Sequence, residues 1–399
     1  MSADPRSTDP IVLVGGGLAS GTAVTTLRER GHDGPVLVLA EEEHLPYERP
    51  PLSKGYLQGK EPAEKALVQD AAWYAEQGVE VRTGTTVEAI DPAAHVVRAE
   101  GSEIAYSGLL LATGSAPRHL PLADDSGAPV TYLRTLDDAT ALRTHLAPGK
   151  RIGIIGGGWI GLEVAASARE RGADVVVLES LDQPLLRVLG PEVAAIFARV
   201  HRDHGVDLRT GVTVEGIQRN ADGARVATDG GNVDVDHLVV GVGVQPRTEL
   251  ADRAGITVDN GIRTDAQLRT SAADVYAAGD VANADHPALG HPVRVEHWET
   301  ARVHGRVAAE NLLGGDTVAD ALPYFFTDQY DLGMEYVGHA GPDAADRVLL
   351  DGDVDGLTFR AWWLRGDLVL AGMHVNDWDA TDRIRALVGT RAEDAALRW

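Results

Sequence analysis

The 399-residue chain contains no cysteine. That one absence excludes disulfides, thiolate metal sites, iron–sulfur clusters held by this chain, and cysteine nucleophiles. Electrons handled here cannot pass to a redox-active disulfide of the chain's own. Lysine is scarce too: only Lys54, Lys60, Lys65 and Lys150 occur, against many arginines. Acids outnumber Lys and Arg by 60 to 36, giving a formal net charge of −24 spread along the chain. A nucleic-acid partner needs a basic face, so none is expected. No apolar run approaches the roughly 20 residues that a bilayer span requires. Met1 to Pro10 is polar and lacks the charged-then-apolar order of a signal peptide. The expectation is a soluble cytoplasmic protein without membrane contact.

What is present reads as an ordinary globular chain long enough for two or three domains. Two regions share one pattern. The first runs Ile11-Val-Leu-Val-Gly15-Gly-Gly17-Leu-Ala19-Ser20-Gly21, a helical stretch to Arg30, then Val36 to Ala40 and an acid, Glu41. The second runs Arg151-Ile-Gly-Ile-Ile155-Gly156-Gly-Gly158-Trp-Ile160-Gly161-Leu-Glu163, a helical stretch to Arg171, then Val175 to Leu178 and Glu179. Each is strand, glycine turn, helix, strand, acid, which is the βαβ unit of a dinucleotide site.

The chemistry explains the spacing. A pyrophosphate must sit against backbone N–H groups at a helix N-terminus, where the dipole is positive. Side chains at the first two glycines block that approach, and the third place must be small for helix–strand packing. Gly156, Gly158 and Gly161 satisfy all three; the first turn has Gly15 and Gly17 with Ser20 in the third place. The acids lie near the ~20 residues expected for a carboxylate that binds ribose hydroxyls. Glu179 also repels a 2′-phosphate, which favours NADH over NADPH. Two nucleotide sites on one chain suit hydride transfer from NADH to FAD, because a flavin accepts two electrons and releases them singly.

Further along, Leu109 to Leu111 with Thr113-Gly114, Leu238 to Val240 with Gly243, and Val275-Tyr-Ala-Ala-Gly279-Asp280 read as buried strands ending in turns. Asp280 can accept hydrogen bonds from ribityl hydroxyls. Glu296-His297-Trp298-Glu299 opens another helix, whose N-terminus suits the pyrimidine end of a flavin. From Leu322 onward aromatics cluster among strand-like stretches, which reads as a separate domain. The fold class expected is α/β, with two Rossmann-like dinucleotide-binding domains and a C-terminal α+β domain. His44, His297 and His374 read as structural or solvent-facing.

The stretch Leu45-Pro-Tyr-Glu-Arg49-Pro50-Pro51-Leu-Ser53-Lys54 resembles the flavin loop of oxygenase-coupled NADH:ferredoxin reductases, the putidaredoxin and rubredoxin reductase group. Ala112-Thr113-Gly114-Ser115, Tyr132-Leu-Arg134-Thr, the second glycine turn, Arg187-Val-Leu, Gly241-Val-Gly243, Tyr276-Ala-Ala-Gly279-Asp280 and Pro323-Tyr-Phe-Phe-Thr-Asp328-Gln329-Tyr330 match in order. The resemblance implies a non-covalent FAD held by residues 1–117 and 247–319, an NADH domain at 118–246, and an interface domain at 320–399. It implies FAD contacts from Ala19, Glu41, Lys54, Val87, Arg134, Asp280 and Trp298. On the NADH side it implies Ile160, Glu163, Glu179, Arg187 and Gly243.

Pro50-Pro51 stiffens the loop that carries Arg49 and Lys54. Lys54 can counter negative charge on a reduced flavin, with Glu163 as its partner; with Trp298, these are the expected catalytic residues. The electron acceptor implied is a 2Fe–2S ferredoxin serving an oxygenase such as a haem monooxygenase. Arg302, His304 and Arg306 are candidates for the basic patch it would dock on. Rubredoxin, a quinone or radical, and a redox-controlled binding role similar to apoptosis-inducing factor remain alternatives. Phe325-Phe326 departs from the tryptophan common in the family's tail signature.

Overall fold

The computed structural model describes residues 8–341 and 344–399. The polar stretch from Met1 to Ser7 read above lies outside them. Two compact units form. One contains the chain up to Glu48 with Glu64–Ala116 and Gln245–Pro323; the other contains Arg49–Ala63, Pro117–Val244 and Tyr324–Trp399.

Each unit is built on a five-stranded parallel sheet, and the two sheets repeat one plan. In the first unit the order is Val275–Ala277, Gly108–Leu111, Ile11–Val14, Val36–Leu39, Val79–Arg82. In the second it is Val130–Thr131, His237–Val240, Arg151–Ile155, Asp174–Leu178, Asp207–Arg209. Ile11–Val14, Val36–Leu39 and Gly108–Leu111 are buried at every residue. Continuous apolar runs do this because a parallel strand is covered on both faces. A three-stranded antiparallel meander follows in each unit, Val87–Asp91 to Ser102–Ala105 in one and Val214–Arg219 to Gly231–Val235 in the other. The duplicated reading of the sequence therefore extends past the glycine turns to the five-stranded sheet and its meander.

Helix Leu18–Glu29 follows the first turn, and helix Trp298–Leu312 packs across it. The crossing is close because Gly305 has no side chain: a Cβ there would meet the Ala19 carbonyl oxygen at 2.4 Å. Any larger residue would have to push the helices apart.

The tail forms a five-stranded antiparallel sheet in the order Tyr324–Gln329, Leu332–Gly338, Leu368–Val375, Thr358–Arg365, Arg347–Asp353, followed by helix Thr381–Leu387. The tail's inner face shares a core with two helices of the same unit. Trp363, Met373, Phe359 and Tyr336 pack in one cluster with Leu162, Phe197, Val193 and Leu189.

No helix among the described residues is long and apolar enough to cross a membrane.

Candidate functional site

Both glycine turns sit at the C-terminal end of the central strand of their sheet, as the βαβ unit requires. The 12-residue helices Leu18–Glu29 and Trp159–Glu170 begin on Gly17 and Gly158, with no side-chain cap and no acid in the first turn. Their N-terminal N–H groups and positive dipole ends are left for an anion.

The glycines divide by cause. Gly15 has φ +118, and a Cβ on it would meet the Ala112 carbonyl oxygen at 2.1 Å. Gly156 has φ +104 and the same conflict with Gly241 at 2.3 Å. Gly161 would collide with the Gly156 oxygen at 2.1 Å. These three are fixed by the fold. Gly17 and Gly158 are not: both backbones are extended, and a Cβ on either meets no atom within 4 Å. Nothing among the described residues forbids a side chain at those two positions. A group that must approach the backbone closely does, and a dinucleotide pyrophosphate fits both turns.

Ser20, in the place that Gly161 holds in the second turn, is fully buried and finds no hydrogen-bond partner among the described residues.

The two acids differ. Glu179 is buried, and its carboxylate folds back on the turn, accepting from Gly157 N–H at 2.6 Å and from Leu181 N–H at 2.8 Å. Glu41 is exposed and paired with Arg247. That arginine also ties the first sheet's second loop, since Thr113 Oγ1 donates to its carbonyl at 2.7 Å and its N–H donates to Gly114 O at 2.9 Å. Ala19 and Val87 are buried in the same unit, and Gly279, at φ +75 beside Ala19, opens the turn bearing Asp280.

At the start of helix Trp298–Leu312, Arg302 lies over the Trp298 ring at 4.6 Å. Glu48 accepts a hydrogen bond from Trp298; burial raises its pKa, while that bond and Arg302 oppose the rise. His304 is a correction to the docking expectation. It is buried, and burial pushes its pKa down to about 4, so it is neutral and cannot offer a cation to a partner. Arg302 and Arg306 are exposed. Of the other histidines, His374 is fully buried and bonded to Glu335 and Thr381, while His44 and His297 are half-buried.

The second unit brings together more than its turn. Arg49, Lys54 and Arg134, expected beside the flavin, belong to it. Arg49 donates to the Arg134 carbonyl, and the Lys54 loop is fastened by Ser167 Oγ to Ser53 O at 2.6 Å and Arg171 to Gln58 O at 2.9 Å. Lys54 Nζ lies 2.7 Å from Glu163 Oε1, so the expected pair is formed, and it stands 5.5 Å from the centroid of Phe326. Glu163 is buried and accepts two further bonds, from Ser53 Oγ at 2.5 Å and Thr327 Oγ1 at 2.6 Å. Sequence reasoning gave no role to Ser53 or Thr327, although both stand inside the quoted motifs. Asp328 has its pKa raised, first by desolvation and then by Glu163 and Glu335, against the pull of Lys54.

Around the second turn large apolar side chains stay in solvent: Ile160 at the helix start, Val242 beside Gly243, and Val188 just past the exposed Arg187. Exposed aliphatic residues so placed give a flat base or ring something to lie on. Gly243, at φ +105, receives the Arg118 N–H at its carbonyl at 2.8 Å.

Two parallel-sheet nucleotide folds on one chain, with a lysine paired to a buried carboxylate in one of them, define a class of two-nucleotide oxidoreductases. The chain belongs to the pyridine nucleotide-disulphide oxidoreductase family, whose model matches residues 9–305, and residues 324–398 match the reductase C-terminal family. It is 42% identical to the ferredoxin–NAD(+) reductase component of the anthranilate 1,2-dioxygenase system of Burkholderia cepacia, covering 93% of this chain and 91% of that one. It is 36% identical to the putidaredoxin reductase of Pseudomonas putida, over 93% and 89%. Its structure is similar to that of the reductase in a covalent putidaredoxin reductase–putidaredoxin complex, with a TM-score of 0.92 at 35% identity over 98% and 95%. The disulphide of the family name has no counterpart here, since cysteine is absent.

Proposed function

We propose that the chain is an FAD-dependent NADH:ferredoxin reductase, delivering electrons from NADH to a 2Fe–2S ferredoxin that serves an oxygenase. The observation that carries it is the pair of middle glycines, Gly17 and Gly158, which the chain's own packing does not require. The names of the full-length relatives point the same way. In this reading FAD is held by 1–117 with 247–319, NADH by 118–246, and 320–399 is the interface domain. Bound FAD supplies the conversion from a two-electron donor to a one-electron acceptor.

The chain's residues do the binding and the orienting. Gly15, Gly17 and Ala19 receive the FAD pyrophosphate, with Glu41 toward the adenosine ribose and Asp280 toward the ribityl chain. Val87, Thr113, Gly114 and Gly279 shape the rest of that site, and Trp298 covers the pyrimidine end. Gly156, Gly158 and Gly161 receive NADH, while Ile160, Arg187 and Gly243 line its path. Lys54 offers a cation to the flavin ring, held in place by Glu163, with Arg49 and Arg134 bracing that loop. Hydride transfer then needs no nucleophile: stacking the donor carbon against the acceptor nitrogen is positioning, which supplies much of the rate.

The test is direct. Purified protein should carry bound flavin, NADH should bleach it, and a 2Fe–2S ferredoxin should reoxidise it faster than rubredoxin or a quinone does in stopped flow. Reversing Arg302 and Arg306 to glutamate should slow ferredoxin reduction and flatten its dependence on salt. Protein purified without flavin would refute the proposal. Faster reoxidation by rubredoxin or a quinone would move the assignment to that acceptor. A long-lived reduced complex that no acceptor relieves would move it to a redox-controlled binding protein.

Glu179 gives a second expectation. Its carboxylate, held by Gly157 and Leu181, should disfavour a 2′-phosphate by roughly 3 kcal/mol, on the order of a hundredfold in kcat/KM. Glu179→Gln should lose most of that preference. Equal kcat/KM for NADPH and NADH in the native enzyme would refute the assignment.

A further inference from the structure

The Glu163 carboxylate is the end of a longer buried chain. Thr327 Oγ1 donates to it at 2.6 Å, and Gln329 Nε2 donates to Thr327 Oγ1 at 3.1 Å. Gln329 Oε1 accepts from His201 Nε2 at 2.8 Å, and the Tyr330 hydroxyl lies 3.4 Å from His201 Nδ1. Thr327, Gln329 and His201 are each at most 1% exposed. They come from two separate elements: Thr327 and Gln329 lie two apart on strand Tyr324–Gln329, so they share a face, and His201 is on helix Leu186–Asp203.

The donors all point one way. Tyr330 O–H faces His201 Nδ1, His201 N–H faces Gln329, the amide N–H faces Thr327, and the hydroxyl faces Glu163. Burial pushes the His201 pKa down to about 4, so the ring is neutral near pH 7, and its one proton lies on Nε2. Hydrogen bonds aligned head to tail polarise one another, and this chain presents its positive end to the carboxylate. A side-chain amide has no proton to relay at this pH, so the chain orients and does not conduct.

Its cost argues for a use. Apolar residues of similar volume often fill such a core at no loss of stability. Tyr330 also occupies a turn position at φ 57, a left-handed conformation that Gly or Asn adopts with less strain. What Tyr330 supplies there is a ring stacked on His204 at 3.8 Å and a hydroxyl for His201.

We infer that Thr327, Gln329 and His201 are positioning residues, a polar chain that holds the Glu163 carboxylate in register with Lys54. The inference rests on the proposed function only where it reaches hydride transfer. Holding Glu163 against Lys54 is independent of it.

The experiment uses the purified full-length protein and three variants: Thr327→Val, Thr327→Ser and Gln329→Leu. With only four lysines in the chain, ¹⁵N-lysine labelling isolates the ammonium of Lys54, assigned by its disappearance in Lys54→Arg. A slowly exchanging ion-paired signal is expected in the native protein and in Thr327→Ser, lost in Thr327→Val and broadened in Gln329→Leu. Stopped-flow reduction by NADH should slow about tenfold in Thr327→Val with little change in NADH affinity, recover in Thr327→Ser, and fall between in Gln329→Leu. A native Lys54 signal and a native rate in Thr327→Val would overturn the inference, as would failure of Thr327→Ser to restore them. Should Thr327→Val not fold, Gln329→Leu decides the matter alone, and native values there overturn it. If the Lys54 signal follows the series while NADH reduces no form of the protein, the proposed function falls and the anchoring of Glu163 stands.

Discussion

Gly17→Val is expected to give a folded, colourless protein, and Gly158→Val a folded, yellow one that NADH no longer reduces. The reasoning separates what the chain needs from what a ligand needs. Both positions have extended backbone and no neighbour within 4 Å of a Cβ. The folding cost is then that of a poorer helix N-cap, about 1 kcal/mol. The binding cost is far larger, because a side chain keeps the pyrophosphate from the helix N–H groups. Losing two charge-assisted hydrogen bonds removes roughly 3–6 kcal/mol, more than a hundredfold in affinity. Gly15→Val and Gly161→Val are the controls. Each meets a backbone oxygen at 2.1 Å and should lower stability sharply whether or not nucleotide is present. The measurements are flavin stoichiometry, NADH titration and thermal unfolding. Native NADH affinity in Gly158→Val would remove the second turn as its site.

Removing either member of the Lys54–Glu163 pair should cost stability and rate together, and removing both should return part of the stability and none of the rate. Glu163 is buried and accepts from Lys54, Ser53 and Thr327. Glu163→Leu strands two hydroxyls and leaves a cation without its counter-charge. Lys54→Met leaves a buried carboxylate with two neutral donors. Breaking one side of a buried ion pair costs about 3–5 kcal/mol, whereas replacing both sides by apolar groups is often neutral. The double variant should therefore regain the ion-pair part of that loss in urea and keep only the cost of the two stranded hydroxyls. On the proposed assignment, reduction by NADH should stay about a hundredfold slow in all three, because each lacks or misplaces the cation that this assignment gives to the flavin. Native reduction rates in the double variant would show that the pair serves folding alone.

Much of this architecture is readable in the sequence, for physical reasons. Ile11–Val14 and Arg151–Ile155 announce themselves as runs too apolar for a one-sided sheet, and each ends in glycines that only a tight turn and a close approach explain. The acids Glu41 and Glu179 are readable from spacing, but their difference is not. One folds back on Gly157 and the other turns outward to Arg247, and only the path of the loops decides that. The burial of His304 is readable from helix periodicity. At about 100° per residue it points away from Arg302 and Arg306, into a cavity that it lines with Ala284, His286 and Pro323. Thr327, Gln329 and His201 leave no signal. They are neutral or ordinary residue types, and Thr327 meets Glu163 across 164 residues of sequence. Such contacts exist only once the tail sheet has packed.

That packing bears on how reductases of this kind acquire new partners. The apolar face of the tail sheet is completed by Leu162, Leu189, Val193 and Phe197, which belong to the helices of the nucleotide-binding unit. The C-terminal segment is thus half of a core, and no cut before Tyr324 leaves both sides soluble. Grafting a relative's tail onto this chain to redirect its electrons would set foreign side chains against native helices at close-packed density. Exchange of acceptor specificity, in evolution or in the laboratory, should therefore proceed by surface substitutions or by swapping sheet and helix faces together. Shuffling the segment alone should yield aggregates sooner than it yields a retargeted enzyme.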